Sequence, residues 1–421
     1  MELEKQHIAE VKIALKKMQT KHDLLDLLNK VGEFSYGVNF KKIELHKLTY
    51  YSQNFVKEQK DVMALLNFGH PKYDRSKNAE VKRYTEFTIK KKSGKDRLIS
   101  APVGSLKTIQ RCLKLIFEIM FIPHHRATGF IIGKSIIDNA KLHVGKNYVY
   151  NIDLKDFFPS ITYNKIKWQL HQAPFLLDKA KNSAQENLAF IITKLCTQQI
   201  KDKEGKSIDV LPQGAPTSPI LSNIICQTLD RRLHGLAKKY NVNYSRYADD
   251  ITFSSDHSVY SKDSEFIVEM NRIITDQKLT VNKDKVRLQR KDFRQEVTGI
   301  TVNQKPNVGR KYVKTIRAIL HNWEKSGYSQ AEKIFLEHYI PTTTTISKTK
   351  PNMRLVIQGK LDYLKMVKGE DNNLLNKLLI RFNLLINKRN TSSKSQKRNE
   401  QLDSVLKLLI HDGLEAAMKN Y

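Results

Sequence analysis

Cysteine is scarce. Cys112, Cys196 and Cys226 are the only three in 421 residues. They lie far apart and form no C-x-x-C pair or Cys/His zinc pattern, which excludes a disulfide framework. The expectation is a reducing compartment and three buried thiols acting as small hydrophobes. Long apolar runs are missing too, so no membrane span is expected. The opening "MELEKQHIAE" is charged and has no apolar h-region, so no signal peptide is visible and a soluble, cytoplasmic protein is expected. No internal repeat is present. Acidic residues are in short supply, 43 Asp plus Glu against 73 Lys plus Arg, for a formal net charge of +30 and a pI near 9.8. The excess is spread along the chain, since residues 301–421 alone hold 22 basic and 10 acidic residues. A large, folded, basic protein most often binds a polyanion, nucleic acid being the commonest, with an anionic membrane surface or plain solubility as alternatives.

What is present suffices for a packed interior. The hydrophobic fraction is 40%, and the length suggests two or three subdomains. Apolar spacing predicts helix over 1–30. "VKRYTEFTIKKKSGKDRLISAP" (81–102) reads as a hairpin turning at Ser93-Gly94, and 105–121 as a helix with Leu106, Ile109, Leu113 and Phe117 on one face. "YVYNIDL" (148–154) is a strand, 163–200 helical, "KDKEGKSIDVLPQG" a hairpin and 217–240 a helix. "NYSRYADDITFS" is strand, tight turn, strand; "EFIVEMNRIITDQ" is a helix; "KVRLQ" and "QEVTGITVN" are strands. The resulting β-α-β-β-α-β order across 148–303 is that of a ferredoxin-like split βαβ unit. Beyond 310 the chain reads as mostly helical, with Leu374, Leu378, Phe382 and Leu385 in register and polar breaks at 341–351 and 387–400.

Three aspartates stand out. Asp153 ends the strand "YVYNID", and Asp249 and Asp250 occupy the turn of the later hairpin. In a split βαβ sheet the first strand and that hairpin are neighbours, so the fold can bring them together. Clustered carboxylates repel unless a cation compensates. Hard Mg²⁺ takes oxygen ligands, and a two-metal pair stabilises both the attacking and the leaving oxygen of phosphoryl transfer. A solvated hairpin turn, where Asp is common, is the alternative reading. Lys95 and Arg97, two apart on the hairpin strand, project to one face and suit a triphosphate, with a solvated basic turn as the alternative. "GFIIGKS" (129–135) is not a P-loop, because only three residues separate its glycines.

"IDLKDFFPSI", "LPQGAPTSPILSN" and "YADD", in that order, resemble the palm of reverse transcriptases, over roughly residues 80–320. The resemblance implies an α/β (α+β) right-hand polymerase, with fingers and N-terminal helices at 1–150. A ferredoxin-like palm follows at 151–303, with part of 161–210 packing on the fingers, and then a helical thumb and C-terminal extension at 304–421. It makes Asp153 and Asp249 direct ligands of two Mg²⁺ ions, with Asp250 beside them. Phe158 matches the aromatic that blocks a ribose 2′-hydroxyl. Gln213, Gly214 and Ala215 match the loop that packs on incoming dNTP and template, and Tyr247 falls near the primer end. Lys283 and Lys285 are candidate proton donors to the leaving pyrophosphate, between which the sequence does not decide.

Two further strings are similar to those of retron reverse transcriptases: "DNAKLHVGK", with Asn139 and His143, and "EVTGITVN", with Val297, Thr298 and Gly299. In that family these regions help recognise a structured non-coding RNA that supplies template and a priming guanosine 2′-hydroxyl. The product there is a branched RNA–DNA hybrid (msDNA), tied to anti-phage defence with a separate effector protein. A structural role, as a helix hydrogen bond and a glycine-containing strand, is the alternative for all five residues. The rival readings are another bacterial defence or group II intron-type reverse transcriptase, for which no H-N-H or zinc pattern is present, and a non-catalytic RNA-binding scaffold with a relic palm.

Overall fold

The structure is a computed structural model. It describes residues 5–52, 83–90, 94, 96–177, 187–202, 204–339 and 350–387, and divides into two units, 1–305 and 306–421. Helix over 1–30 is the expectation, but two helices form, Lys5–Lys17 and Lys21–Tyr36. The cause is a capping box: the Asp23 backbone N–H donates to Thr20 Oγ1, and the Thr20 N–H donates back to Asp23 Oδ2. Two orphan donors satisfied there favour a helix start over continuation of the first helix.

Among the described residues ten strands follow, numbered in chain order: β1 (Tyr84–Lys90), β2 (Asp96–Pro102), β3 (Tyr148–Asp153), β4 (Gln198–Lys201), β5 (Ser207–Val210), β6 (Asn243–Tyr247), β7 (Asp250–Ser255), β8 (Arg287–Arg290), β9 (Glu296–Val297) and β10 (Ile300–Thr301). The hairpin β1–β2 pairs Tyr84 with Pro102 and Ile89 with Arg97. Residues 163–200 do not form one helix; a short helix, Tyr163–Leu170, is followed by Leu188–Cys196 and then β4. The 217–240 stretch is likewise two helices, Ser218–Ile225 and Gln227–Lys239, meeting at Cys226. All three cysteines are free and buried, and burial pushes their thiols up, to about 12 for Cys112 and Cys196 and about 11 for Cys226.

The central sheet is antiparallel with strand order β6-β7-β3-β8. The first strand of the unit, β3, therefore sits between the third and the fourth, as in the split βαβ topology. Two amphipathic helices cover it. Gln227–Lys239 buries Leu229, Leu233 and Leu236, and Glu265–Asp276 buries Phe266, Met270, Ile273 and Ile274. Phe253 of β7 meets Phe266 edge-on at 5.1 Å, a favoured aromatic geometry.

Residues 136–145 pack behind this sheet. The helix Ile136–Lys141 stops before His143, so Asn139 and His143 do not share a helical face. Both are fully buried. Thr128 Oγ1 donates to Asn139 Oδ1 at 2.8 Å. His143 bridges the hydroxyls of Ser245 on β6 and Ser254 on β7, each at 2.7 Å. Burial, with Arg126 adding to it, lowers His143 to about 3. A His neutral when folded but protonated when unfolded contributes stability above pH ~6.5 that is lost as pH falls toward the folded value. About 2 kcal/mol is therefore expected to be lost between pH 6.5 and 5. Urea unfolding at the two pH values checks this, and His143→Gln should flatten the dependence by that amount.

"QEVTGITVN" is a hairpin, not a strand. Val297 pairs with Ile300, and both turn residues, Thr298 (φ 47) and Gly299 (φ 84), have positive φ, the requirement of a type I′ turn. Thr298 Oγ1 donates to Ile136 O at 3.2 Å, and the Gly145 N–H donates to Val302 O at 3.0 Å, so the two strings that resemble retron sequences touch.

The described part of the second unit is helical. Arg310–Tyr339 breaks at Gly327 (φ 72) and is followed by Met353–Lys368 and a helix over 373–387. Its buried side chains include Leu320, Trp323, Phe335, Ile357, Leu361, Leu378, Phe382 and Leu385; Leu375, not Leu374, completes the inward face of the last helix. Trp323 meets Phe382 at 6.1 Å, and Arg381 forks onto Glu324. Most of 341–351 and nearly all of 387–400 lie outside the described residues. No helix among the described residues is long and apolar enough to cross a membrane.

Candidate active site

The aspartates meet at one edge of the central sheet. Asp153, the last residue of β3, stands in register with Asp250, the first of β7, and the Leu154 N–H donates to Asp249 O at 3.0 Å. Asp249 lies in a two-residue turn whose first member, Ala248, has φ 58, a strained conformation for a residue other than glycine. Burial raises the Asp249 carboxyl above the usual range; the Asp153 charge adds to this, while its own backbone N–H, Lys285 and Arg97 oppose it. Asp250, although its outer edge is exposed, is pushed up to about 6 by desolvation and then by Asp249 and Asp153.

Asp153 is already engaged. Lys285 Nζ contacts its Oδ2 at 2.8 Å, Asn282 Nδ2 donates to its Oδ1 at 3.1 Å, and the Asn282 N–H donates to its carbonyl at 2.8 Å. The three carboxylates share the edge without closing into a tight ligand set. Among the described residues, the three ligand atoms found within 4.8 Å of one another belong to His124, His125 and His234 instead. Side-by-side carboxyls that resist ionisation are what a divalent cation offsets, and an all-oxygen donor set suits a hard one. Asp153, Asp249 and Asp250 therefore fit such an ion.

A buried network fixes the turn, and sequence reasoning missed it. Arg246, on β6 and fully buried, forks onto Asp230 with two 2.7 Å bonds. It also donates to Asn223 Oδ1 at 3.0 Å and to the Ala248 carbonyl at 3.0 Å. Tyr244 donates to Asp230 at 2.7 Å. The signals were present: Arg246 alternates with Tyr244 on the inward face of β6, and Asp230 sits beside Leu229 and Leu233 on the apolar face of its helix. A charge on an apolar face needs a partner.

Gly129 closes the other side. Asn223 Nδ2 donates to its carbonyl at 2.9 Å, and a Cβ placed there would lie 2.6 Å from the Ala248 nitrogen. This close approach, not phosphate binding, is the use of the glycine in "GFIIGKS". Gly129→Ala must push the turn aside; a displacement approaching 1 Å costs about 10²-fold in rate. Single-turnover nucleotide incorporation at saturating substrate is the check.

Phe158 is half-buried, 5.4 Å from Phe157 and 6.3 Å from Phe130, which in turn lies 6.3 Å from Tyr247. The loop Gln213–Ala215 is tied to β2: the Ser100 N–H donates to Gln213 O at 2.8 Å, and Gly214 (φ 126) presses so close that a Cβ would meet Ile99 at 2.8 Å. Arg97, on that strand, is exposed and near enough for its charge to act on Asp249. Lys95 lies outside the described residues. Lys283 begins a one-turn 3₁₀ helix that Lys285 ends. Asn139, His143 and Val297 are sealed from solvent. Thr298 is half-buried and Gly299 exposed.

A split βαβ sheet carrying three carboxylates at one strand edge defines the palm of a right-hand polymerase. The chain belongs to the reverse transcriptase (RNA-dependent DNA polymerase) family, whose model matches residues 89–311, and to its retron type. It is 35% identical over 263 residues to the Retron Mx65 reverse transcriptase of Myxococcus xanthus, covering 61% of this chain and 60% of that one. Identity to the Retron Mx162 reverse transcriptase of the same organism is 34%, covering 64% and 58%. The Retron Ec86 reverse transcriptase of Escherichia coli is 33% identical, covering 57% of this chain and 70% of that one. The chain thus spans about three fifths of the length of the two Myxococcus relatives. A solved telomerase from Candida albicans, in complex with a TWJ fragment of telomeric RNA, matches at 12% identity and a TM-score of 0.39, covering 72% of this chain and 63% of that one, too weak a likeness to carry an argument.

Proposed function

We propose that this protein is an RNA-directed DNA polymerase of a retron system. In this reading it copies a cognate structured non-coding RNA into a branched RNA–DNA hybrid (msDNA) in anti-phage defence, in the cytoplasm and with a separate effector protein. The observation that carries the reading is the register of Asp153 with Asp250, which sets three carboxylates on one sheet edge in a chain of the reverse transcriptase family.

In this reading residues 1–150 are fingers, 151–303 palm and 304–421 thumb and extension. Asp153 and Asp249 hold two Mg²⁺ ions, with Asp250 beside them. Bound there, the metal supplies charge stabilisation to the attacking and leaving oxygens. The Arg246 network fixes the carbonyl before Asp249, so the carboxylates do not reorganise during reaction. Gln213, Gly214 and Ala215 form the floor under the incoming dNTP, and the Phe158 ring stands where a ribose 2′-hydroxyl would clash. Lys285, whose Nζ contacts the Asp153 carboxylate at 2.8 Å, serves as proton donor in preference to Lys283. Thr298 and Gly299 face the RNA, whereas Asn139, His143 and Val297 act from behind by holding that turn and the sheet.

Arg97, with Lys95, binds the triphosphate. A hydrogen bond to a charged group is worth about 1.5–3 kcal/mol, so Arg97→Ala should lower kcat/KM for dNTP by about 10- to 100-fold. The loss should fall mainly in KM; steady-state kinetics on an RNA template with a DNA primer check it. The retron assignment is tested by purifying the protein from cells and sequencing its bound nucleic acid. A short DNA joined through a 2′–5′ branch to one RNA is expected. Random cellular RNA alone contradicts the retron part, and failure to incorporate dNTP contradicts the polymerase part.

A further inference from the structure

Away from the aspartate edge, three imidazoles converge that the chemistry above leaves unused. His124 and His125 lie in the loop "IPHHRATG" after the helix Gly104–Met120, and His234 sits midway along Gln227–Lys239. The ring centroids are 4.4 Å apart for His124–His125, 5.2 Å for His124–His234 and 4.8 Å for His125–His234. One ring nitrogen of each lies within 4.8 Å of the other two. His125 is exposed and its companions half-buried, so an ion can enter from solvent.

We propose that His124, His125 and His234 form a structural binding site for a borderline transition metal of the Zn²⁺ class, which fastens the 124–128 segment to the helix Gln227–Lys239. Tetrahedral Zn²⁺ at its usual bond length places ligand nitrogens about 3.4 Å apart, so small side-chain rotations close the set. Three nitrogen donors with a fourth position for water favour zinc, cobalt, nickel or copper over the hard cations that suit the aspartates. His124 Nδ1 accepts a 3.2 Å hydrogen bond from the Arg126 N–H. Binding through Nε2 moves the ring proton to Nδ1 and gives up that weak contact. Arg126, Lys134 and Lys238 lie close enough to disfavour added positive charge, which sets the affinity below that of a thiolate site.

The placement gives the ion a purpose. Beyond His125 the chain runs beside β6: the Arg246 N–H donates to Arg126 O at 3.0 Å, and the Thr128 N–H donates to Arg246 O at 2.9 Å. The next residue, Gly129, presses on the Ala248 turn. Metal at the histidines therefore stiffens the strip that buttresses the aspartate hairpin.

The test titrates Co²⁺ into the full-length, chelator-stripped protein in excess Mg²⁺, following the visible d–d absorption and the thermal midpoint. One equivalent is expected to bind, raise the midpoint and be displaced by Zn²⁺. His125→Asn and His234→Asn should each weaken Co²⁺ binding by at least about 10- to 100-fold, the loss that even an outer-shell change brings, while Asp249→Asn leaves it unchanged. Absence of stoichiometric Co²⁺ binding by the wild type overturns the proposal, as does equally tight binding by the two His variants. Should His234→Asn fail to fold, the wild type and the exposed His125→Asn decide it.

Discussion

Asp249→Asn is expected to lower DNA synthesis on an RNA template at least about a thousandfold, the rate equivalent of ~4 kcal/mol of lost transition-state stabilisation. Asn keeps the volume and one carbonyl oxygen but removes the charge that a cation needs. Asp153→Asn should act alike, and it also loosens Lys285, whose partner at 2.8 Å is the Asp153 carboxylate. Neither change should unfold the chain, because burial and mutual repulsion already disfavour ionised Asp249. RNA binding should persist, since the excess positive charge is spread along the whole sequence. Single-turnover incorporation beside a filter-binding assay separates the two effects. Equal product from wild type and variant refutes the assignment.

Arg246→Met is expected to destabilise the first unit by about 3–5 kcal/mol, the cost of leaving a buried charge without its partner. Asp230 loses two 2.7 Å donors, and Asn223 and the Ala248 carbonyl lose one each. The double variant Arg246→Met/Asp230→Asn should regain a large part, because the orphaned charge is gone while Tyr244 keeps an acceptor. Neither form should regain full activity, as the carbonyl preceding Asp249 stays untethered. Urea unfolding of the three proteins measures the effect; a shift below about 1 kcal/mol for the single variant contradicts the network's importance.

The strand that ends in Asp153 and the hairpin that carries Asp249 and Asp250 were legible because each is short, apolar and bounded by turn residues. The topology that joins them was legible from element order. What stayed hidden depends on long-range contacts. Arg246 meets Asp230 only through the packing of β6 on a helix, and Gly129 meets Ala248 only once 124–128 lies along β6. The capping box from Thr20 to Asp23 stood in the sequence, but apolar spacing on both sides masked it. "VTG" reads as strand because Val and Thr are β-branched, yet Gly299 after Thr298 supplies the positive-φ pair of a turn. Short strings such as Asn139 to His143 carry no information on burial, so a contact with RNA and a place in the core looked alike.

Cation binding at the sheet edge is tested most directly by Mn²⁺, which suits carboxylate ligands and reports by electron paramagnetic resonance. Titrated in the presence of dNTP, the wild type should hold Mn²⁺ that Mg²⁺ displaces, and Asp153→Asn should not. No bound Mn²⁺ in the wild type, or equal binding by both proteins, would mean that Asp153, Asp249 and Asp250 do not form a metal centre.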